Sequence, residues 1–328
     1  MADRILRWGL LSTARINRAL IPPLRISERN QLSAVASRNL EAAKEYAREW
    51  DIPGAFGSYE AMLADPEIDV IYNSLPNAMH AEWTIKAVQA GKHVLCEKPL
   101  ALSVEDVDLI AETASQAGVV VAEAFMYRHH PQTLRVKELV EDGTLGKLQL
   151  IRGSFTFKIE NRENVRLKPE LGGGSIWDVG CYPINYARFL VGAQPEEVFG
   201  WHVPGISGVD ETFVGQMRFP GEVMGQFDSG FQTPLRAQLE VVGSEASLTL
   251  SAPFKPGLHE AIQIWHGDEV QAVAISGQEL YLGEVEDMAD AILLGKTPRI
   301  SLDDSRGNVM TILAFLQSAR QGQPVSMG

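Results

Sequence analysis

Residues 6–17, LRWGLLSTARIN, decide the fold, because a short apolar strand runs directly into a turn and the start of a helix. In a dinucleotide-binding domain, backbone N–H groups at this place face the pyrophosphate. The motif G-x-G-x-x-G is absent, since Ser12, Ala14 and Asn17 occupy the glycine positions. These replacements are small, and the hydroxyls of Ser12 and Thr13 can bind phosphate. The segment is therefore a candidate phosphate-binding turn, with an ordinary strand-to-helix turn as the open alternative.

Strand and helix patterns alternate beyond this turn. Short apolar strands are predicted at residues 6–11, 32–36, 70–75, 93–96 and 119–122, and amphipathic helices at residues 40–50, 80–90 and 104–117. Asn39 and Ser103 stand where the N-caps of two of these helices belong. The alternation predicts an α/β domain with a doubly wound parallel sheet, the Rossmann arrangement.

The rhythm changes after residue 147, where strand patterns dominate. Strands are predicted at residues 147–157, 213–219, 223–227, 235–242, 246–250, 262–265 and 270–275, and helices at residues 176–190, 284–294 and 305–320. Alternation of polar and apolar residues in several strands indicates a largely antiparallel open sheet. We expect residues 1–122 to form a Rossmann domain and residues 123–300 an α+β domain for substrate binding and oligomerisation. The C-terminal helix, 301–328, is expected to pack back on the first domain.

The composition limits the classes of function. The 328 residues, of which 45% are hydrophobic and 22% charged, suffice for two globular domains. The formal net charge of -13 disfavours nucleic acid and anionic membranes as partners, and no apolar run is long enough for a membrane span. The two cysteines, Cys96 and Cys181, form no metal-binding or disulfide pattern. We therefore expect a cytoplasmic protein without an export peptide or a bound metal.

The end of the second predicted strand indicates which cofactor is bound. An NAD site requires an acidic residue about 20 positions after the first turn, to hold the ribose 2′-hydroxyl. Ser37 and Arg38 stand there instead. A hydroxyl and a guanidinium suit a 2′-phosphate, which favours NADP. A solvated surface arginine is the alternative reading of Arg38.

Two more candidate segments follow the third and fourth predicted strands. The third strand ends in Ser74-Leu75-Pro76-Asn77, with His80 opening the next helix, and the fourth ends in Glu97-Lys98-Pro99. Open α/β sheets bind ligands at the carboxyl ends of their strands. Lys98 can therefore point toward a bound cofactor and act as a fixed donor, although a Lys-Pro pair on its own is typical of an ordinary loop.

The segment GGGSIWDVGCY, residues 172–182, contains the second candidate set. If it is helical, Asp178 and Tyr182 stand at i and i+4 on one face. A carboxylate and a phenol facing a lysine form a proton-transfer set, in which the phenol exchanges the hydroxyl proton during hydride transfer. The alternative is a capped helix with a core tyrosine.

Four ordered motifs together resemble the Gfo/Idh/MocA oxidoreductases. They are Leu75-Pro76-Asn77 with His80, Glu97-Lys98-Pro99, EAFMYRHHP at residues 123–131, and the glycine-rich segment that ends at Tyr182. The resemblance covers essentially the whole chain and implies that Lys98 is the catalytic lysine and Tyr182 the acid–base residue. The tyrosine is similar to that of the branch with NADP-dependent xylose dehydrogenase, dimeric dihydrodiol dehydrogenase and glucose–fructose oxidoreductase.

The candidate residues fall into three groups. The catalytic candidates are Lys98, Tyr182 and Asp178. The cofactor-binding candidates are Ser12, Thr13, Ala14, Arg15, Ile16, Ser37, Arg38, Ser74, Leu75, Pro76, Asn77, His80, Glu97 and Lys98. The substrate-binding candidates are Tyr127, Arg128, Arg166, Trp177, Asp178 and Tyr182, since arginines and aromatic rings suit polyhydroxylated substrates. Surface or interface roles remain open for Tyr127, Arg128, Arg166 and Trp177.

These observations predict an NADP-dependent oxidoreductase that transfers a hydride between nicotinamide and a sugar or related polyol, as an aldose dehydrogenase or a keto-sugar reductase. Two alternatives remain open: a sugar–sugar oxidoreductase with tightly bound NADP, and a non-catalytic NADP-binding sensor. An open-faced sheet leaves an apolar patch that needs cover. We therefore expect a homodimer or homotetramer formed through the C-terminal sheet.

Overall fold

The computed structural model describes residues 4–327, which divide into two compact units. The first unit contains the chain up to residue 126 together with residues 281–306, and the second contains residues 127–280 and the chain from residue 307 onward. The strands are β1 Leu6–Leu11, β2 Asn30–Ala36, β3 Gly54–Phe56, β4 Val70–Asn73, β5 His93–Glu97, β6 Val121–Ala124, β7 Leu148–Thr156, β8 Glu197–Pro204, β9 Asp210–Arg218, β10 Met224–Gly230, β11 Arg236–Gly243, β12 Ser247–Leu250, β13 His259–His266, β14 Glu269–Ser276 and β15 Val325–Ser326.

The helices are α1 Asn17–Ile26, α2 Leu40–Glu49, α3 Tyr59–Leu63, α4 His80–Gln89, α5 Val104–Ala117, α6 Pro131–Glu141, α7 Cys181–Val191, α8 Leu282–Leu294 and α9 Leu302–Gln321. Among residues 4–327, no helix is both long enough and apolar enough to cross a bilayer. The start of α1 was predicted after the first turn, but its extent was not, because Pro22 and Pro23 lie inside it and interrupt its pattern.

The first unit is built on a parallel sheet with strand order β3-β2-β1-β4-β5-β6. The order reverses between β1 and β4, so the carboxyl ends of these strands flank the crevice where such sheets bind ligands. Asn39 caps α2 by accepting from two backbone N–H groups, and Ser103 caps α5 by accepting from the Asp106 N–H. The predicted Rossmann sheet and both caps are confirmed.

The second unit contains a nine-stranded sheet with order β14-β13-β12-β11-β7-β10-β9-β8-β15. Only β7 and β10 are parallel neighbours among its described pairs, and the others run antiparallel. One face is buried through residues such as Phe213 and Phe227, whereas Arg152 and Gln226 project from the other. The predicted largely antiparallel open sheet is confirmed.

The last helix packs differently from the prediction. The ring of Phe315 in α9 lies 5.9 Å from that of Phe213 and 5.0 Å from that of Phe227. Gly215 leaves room for this aromatic cluster, since a Cβ there would come within 2.6 Å of Phe315. Residues of α9 from 307 onward therefore lie on the second sheet, whereas the prediction placed 301–328 on the first domain. The sequence shows that the helix has an apolar face but not which sheet it covers. The aromatic contacts with the second sheet join residues that lie far apart in the sequence.

Candidate active site

The turn after β1 is held by hydrogen bonds of Ser12 and Asn17, two of the residues that stand at the glycine positions of the motif. Ser12 has φ +149°, in the region that favours glycine. Its hydroxyl lies 2.9 Å from the Ser74 hydroxyl and accepts from the Ala14 N–H at 3.1 Å. The buried Asn17 amide donates to the Ser12 carbonyl at 2.7 Å. The Ser12 hydroxyl, which the sequence suggested for phosphate binding, thus binds the turn after β4.

The surroundings of this turn fit an anionic cofactor. The first turn of α1 contains no acidic residue, and its N-cap, Ile16, makes no side-chain capping bond. Arg15 is exposed beside it, and Thr13 and Ala14 are half-exposed. Backbone N–H groups at such an N-terminus attract phosphate. The residues present here therefore fit the pyrophosphate of a dinucleotide.

The end of β2 fits an additional phosphate. Arg38 is exposed, and Ser37 is half-buried, with its hydroxyl accepting from the Asn39 N–H at 3.3 Å. Burial raises the pKa of Tyr59, and the Arg38 guanidinium near its hydroxyl partly offsets that rise. The guanidinium is therefore held near the strand end in a place accessible to solvent, as recognition of an NADP 2′-phosphate requires.

Side chains from three strands hold the turn that carries Lys98. The Tyr72 hydroxyl at β4 donates to the Glu97 carboxylate. The Leu100 N–H donates to the Glu123 carboxylate at the end of β6, at 2.9 Å. Burial, followed by the charge of Glu97, raises the pKa of Tyr72 well above its ordinary value, so this phenol remains a donor. Lys98 therefore lies between two anchored neighbours.

His80 contacts both turns at this edge of the sheet. One ring nitrogen, Nδ1, lies 2.7 Å from the Pro99 carbonyl, and the other, Nε2, lies 2.7 Å from the Leu75 carbonyl. The ring is only 1% exposed. His80 was predicted to bind the cofactor directly, but both nitrogens face the backbone of the protein. Pro76 and Asn77, in the same turn as Leu75, are half-exposed.

In the second unit, the glycine-rich segment is anchored by a buried carboxylate that follows it by more than 30 residues. Asp210 accepts from the Ser175 hydroxyl at 2.6 Å and from the Ile176 N–H at 2.8 Å. Burial raises its pKa to about 6, although both hydrogen bonds oppose that rise. Gly174 has φ +126°, and a Cβ there would lie 2.4 Å from the Asp210 carboxylate. The glycine is required for this close approach.

The helix predicted from residue 176 begins as a π-helical turn over Ile176–Gly180, and α7 follows from Cys181. Asp178 therefore lies in the wider turn and Tyr182 in the first turn of α7, which corrects the expectation of i and i+4 on one α-helical face. The Asp178 carboxylate accepts from Arg166 Nε at 2.6 Å. Arg166 also accepts from the Gly174 N–H through its carbonyl. The structure thus brings Arg166 and Asp178 together.

Tyr182 is embedded in an aromatic cluster and is 4% exposed. Its ring centroid lies 5.4 Å from that of Phe155, 5.6 Å from that of Phe254 and 5.8 Å from that of Tyr127. The packing holds the phenol in one orientation. Trp177 is also buried, in the π-helical turn.

Two predicted substrate contacts lie in the interior of the second unit. The Tyr127 hydroxyl donates to Asn185 Oδ1 at 2.6 Å, and Arg128 Nη1 donates to the same oxygen at 3.0 Å. Both side chains are buried, and Arg128 stacks on Phe189 at 4.0 Å. These contacts support the helix that carries Tyr182, which differs from the predicted role in contacting substrate.

Several residues that build these sites were not singled out from the sequence. Glu123 stands in a recognised motif and could have been found there, whereas Tyr72, Asn185 and Asp210 act through contacts between distant residues. Contacts within the first unit bring several of the predicted residues together. The Ser12 and Ser74 hydroxyls are neighbours, and His80 lies between Leu75 and the turn that carries Lys98. Arg15, Ser37 and Arg38 lie at neighbouring strand ends without a described bond to that group.

Comparison with known proteins finds matches to one oxidoreductase family in two parts of the chain. Residues 6–125 match an oxidoreductase family with an NAD-binding Rossmann fold, and residues 133–249 match the GFO/IDH/MocA C-terminal domain. The chain is similar to D-xylose 1-dehydrogenase (NADP(+)) 2 of Haloferax volcanii. The two are 35% identical over 325 residues, which is 98% of this chain and 99% of that protein.

Two solved structures resemble the whole chain. One is aldose-aldose oxidoreductase from Caulobacter crescentus complexed with glycerol, with TM-score 0.92, 26% identity and coverage of 98% of this chain and 100% of the other. The other is a 3-ketoreductase from Actinomadura kijaniata in complex with NADP and TDP-benzene, with TM-score 0.91, 27% identity and coverage of 96% and 98%.

Proposed function

The chain belongs to the Gfo/Idh/MocA family of oxidoreductases, and we propose that it catalyses reversible hydride transfer between NADP(H) and a sugar or related polyol. The observation that carries this proposal is the turn with Lys98, which is anchored on both sides at the carboxyl edge of a Rossmann sheet. The predicted class, an NADP-dependent sugar oxidoreductase, is confirmed by relatives that include an NADP(+)-dependent xylose dehydrogenase and a ketoreductase in complex with NADP.

We assign cofactor binding to the first unit and substrate binding to the second. The backbone of residues 13–16 would hold the pyrophosphate, and Ser37 with Arg38 the 2′-phosphate. NADP(H), when bound, supplies or accepts the hydride. The Lys98 ammonium donates a hydrogen bond to the reacting oxygen of the sugar.

In the second unit, Tyr182 carries the proton-transfer role. Its hydroxyl gives a proton to that oxygen in reduction and takes it in oxidation. Asp178 orients the substrate, and Arg166 holds the Asp178 carboxylate by the 2.6 Å bond. The aromatic packing around Tyr182 keeps the phenol in one orientation, so that little rotational freedom is lost during the reaction.

Arg38 tests the preference for NADP. Arg38→Ala should raise the KM for NADP about tenfold, because a charge-assisted hydrogen bond to phosphate is lost. The KM for NAD should change much less. Arg48→Ala, which removes another exposed arginine from the end of α2, is the matched control. Equal changes for NADP and NAD would remove Arg38 from the phosphate site.

The substrate is best identified by testing a panel of aldoses, polyols and keto-sugars and measuring the change in NADPH absorbance with each. We propose an aldose as the substrate, because the relatives named above include a xylose dehydrogenase and an aldose–aldose oxidoreductase. A simple dehydrogenase should lose NADP(H) on gel filtration. Retention of the cofactor would indicate the sugar–sugar oxidoreductase, and tight NADPH binding without turnover of any sugar would indicate the sensor.

We propose that the open face of the second sheet forms a homodimer or homotetramer. Strand register places Trp201, Val214 and Asp228 in one row across this face, and Trp265 lies on the same side. Trp201 is 56% exposed and Val214 is 44% exposed, so this face presents neighbouring large apolar side chains, as interaction surfaces do. Light scattering at micromolar concentration should give an oligomer, and Val214→Glu should give monomers. A wild-type monomer would contradict this interface.

A reducing compartment such as the cytoplasm is proposed for the protein. Cys96 and Cys181 are both buried, and neither forms a disulfide. Burial raises the pKa of the Cys96 thiol well above its ordinary value, so the reactive thiolate is disfavoured. Fractionation of the source cell would test the compartment.

A further inference from the structure

His80 is the residue whose side chain joins the two turns at the carboxyl edge of the first sheet. It opens α4, so its backbone is fixed by the helix, and its carbonyl accepts from the Asn73 amide at 3.0 Å. Its ring lies between the carbonyls of Leu75 and Pro99, each 2.7 Å from a ring nitrogen. One side chain therefore sets the spacing between the turn after β4 and the turn after β5.

The Pro99 carbonyl belongs to the residue directly after Lys98. A shift of Pro99 moves the Lys98 backbone, because the two share a peptide unit. On the other side of Lys98, Tyr72 holds Glu97. The ring of His80 is thus the closest described anchor on the C-terminal side of the lysine, followed by the bond from Leu100 to Glu123.

The ring is suited to this role because it has two nitrogens on opposite sides of a rigid plane. Carbonyl oxygens only accept, so a neutral ring can donate to one of them and a protonated ring to both. Burial is the largest influence on the pKa of His80 and holds it below its ordinary value, although the two carbonyls raise it. A neutral ring therefore donates to one carbonyl and packs against the other. An asparagine or glutamine amide has both of its donors on one nitrogen, so neither side chain reproduces two nitrogens on opposite sides of a rigid ring.

We propose that His80 is a positioning residue, whose ring lies between the Leu75 and Pro99 carbonyls and thereby places Lys98 for the reaction and the Leu75–Asn77 turn for the cofactor. This inference rests on the proposed function for the role of Lys98. It assigns no contact between His80 and the cofactor or the sugar, since both ring nitrogens face carbonyls of the protein backbone.

The test uses His80→Gln and His80→Asn in the full chain. Each should lower kcat about tenfold, as loss of precise placement does, while the KM for the sugar changes less than about twofold. The Kd for NADPH, measured by fluorescence, should rise about threefold or more. The kcat values are calculated per NADPH-binding site, so that unfolded protein does not contribute.

His93→Gln is the matched control, because His93 stands at the opposite end of the same strand, β5, and accepts from the Val120 N–H at 2.9 Å. It should lower Tm without changing kcat or the Kd for NADPH. A His80 variant that loses only Tm, or a His93 variant that loses kcat equally, would overturn the positioning role. If the wild type reduces no sugar, the proposed function fails, and the Kd for NADPH still decides whether His80 places the cofactor turn.

Discussion

The two segments that carry the catalytic candidates are held in different ways. The Lys98 turn is anchored at successive residues, by Tyr72, His80 and Glu123 from three different elements. The segment before Tyr182 is anchored mainly through one buried carboxylate, that of Asp210, and through an ion pair at the surface. Removal of one anchor should therefore matter less for the first segment than for the second.

The topology explains this difference. Parallel strands end at one edge, so β4, β5 and β6 bring side chains to the same turn without any insertion in the chain. The second segment crosses the ends of antiparallel strands, where a glycine-rich turn has few side chains of its own. The Asp210 carboxylate at the start of β9 accepts from the Ser175 hydroxyl and the Ile176 N–H, and backbone carbonyls accept from the two preceding glycines. Several side chains thus anchor the turn that carries the lysine, whereas the buried Asp210 carboxylate is the main side-chain anchor before the tyrosine.

The largest expected effect is removal of the reacting groups themselves. Lys98→Ala and Tyr182→Phe should each lower kcat by on the order of 10²-fold or more, because general acid–base or donor assistance is lost. Steady-state kinetics with NADPH and the best sugar of the panel measures both. Equal losses would sharpen the comparison, since they would show that two differently anchored groups contribute comparably to one reaction.

Tyr186→Phe is the matched control for the tyrosine, one helical turn along α7. Its ring is fully buried and stacks on Tyr127 at 5.0 Å, and burial raises its pKa. It should retain near-wild-type kcat. For the lysine, Lys86→Ala removes an exposed cation of α4 that pairs with Glu82. If Tyr182→Phe behaved like Tyr186→Phe, the proton-transfer role of Tyr182 would have to be abandoned.

Asp210→Asn tests whether the buried carboxylate that anchors the second segment makes the stability of the protein depend on pH. The pKa of the folded state, about 6, lies above the ordinary 3.8, so protonation favours the folded form. The stabilisation is complete below the ordinary value and is lost as the pH rises through the folded value. One pKa unit is about 1.4 kcal/mol, so the wild type should lose up to about 3 kcal/mol of unfolding free energy across this range. The asparagine variant should lack that slope.

Urea unfolding at about pH 4.5 and about pH 7.5 measures the difference between the two proteins. Asp142→Asn is the control, because the Thr144 bonds lower the pKa of Asp142 and its titration lies below this range. Its difference from the wild type should not vary between the two pH values. If the difference in unfolding free energy between Asp210→Asn and the wild type is also the same at both pH values, the Asp210 carboxylate keeps its charge throughout. That result would contradict the effect of burial on its pKa.

Much of the first unit could be predicted from the sequence. Buried parallel strands are visible as short apolar runs, and β1, β4 and β5 were placed to within two residues. The position of Lys98 at a strand end followed from the same pattern. The roles of Ser12 and His80 did not, because their partners, Ser74 and Pro99, are identified only when neighbouring strands are brought together.

The second unit was less predictable for a physical reason. The π-helical turn at Ile176–Gly180 depends on Asp210, which is 35 residues away from Ser175. A local pattern of apolar residues does not distinguish this wider turn from an α-helix. Tyr127 stood in a motif with an arginine and histidines, yet its hydroxyl is bonded to Asn185, 58 residues later. Side chains that make hydrogen bonds inside the protein cannot be distinguished, by sequence alone, from side chains that bind substrate.

The smallest expected effect comes from the surface anchor of the second segment. Arg166→Gln removes the bond to Asp178, and because the Arg166 side chain is 42% exposed, the loss of stability should stay below about 1 kcal/mol. The KM for the sugar should rise about threefold to tenfold, since Asp178 loses the donor that orients it.

A double-mutant cycle with Asp178→Asn separates the pair from its surroundings, because the coupling energy isolates the interaction of the two side chains. Arg135→Gln, which removes a similarly exposed arginine from its pair with Glu138 on α6, should leave the KM unchanged. If the Arg166 and Asp178 effects on KM are additive, the two side chains act independently. Asp210 would then be the main side-chain anchor of the tyrosine segment, which would sharpen the contrast with the Lys98 turn, where several side chains act as anchors.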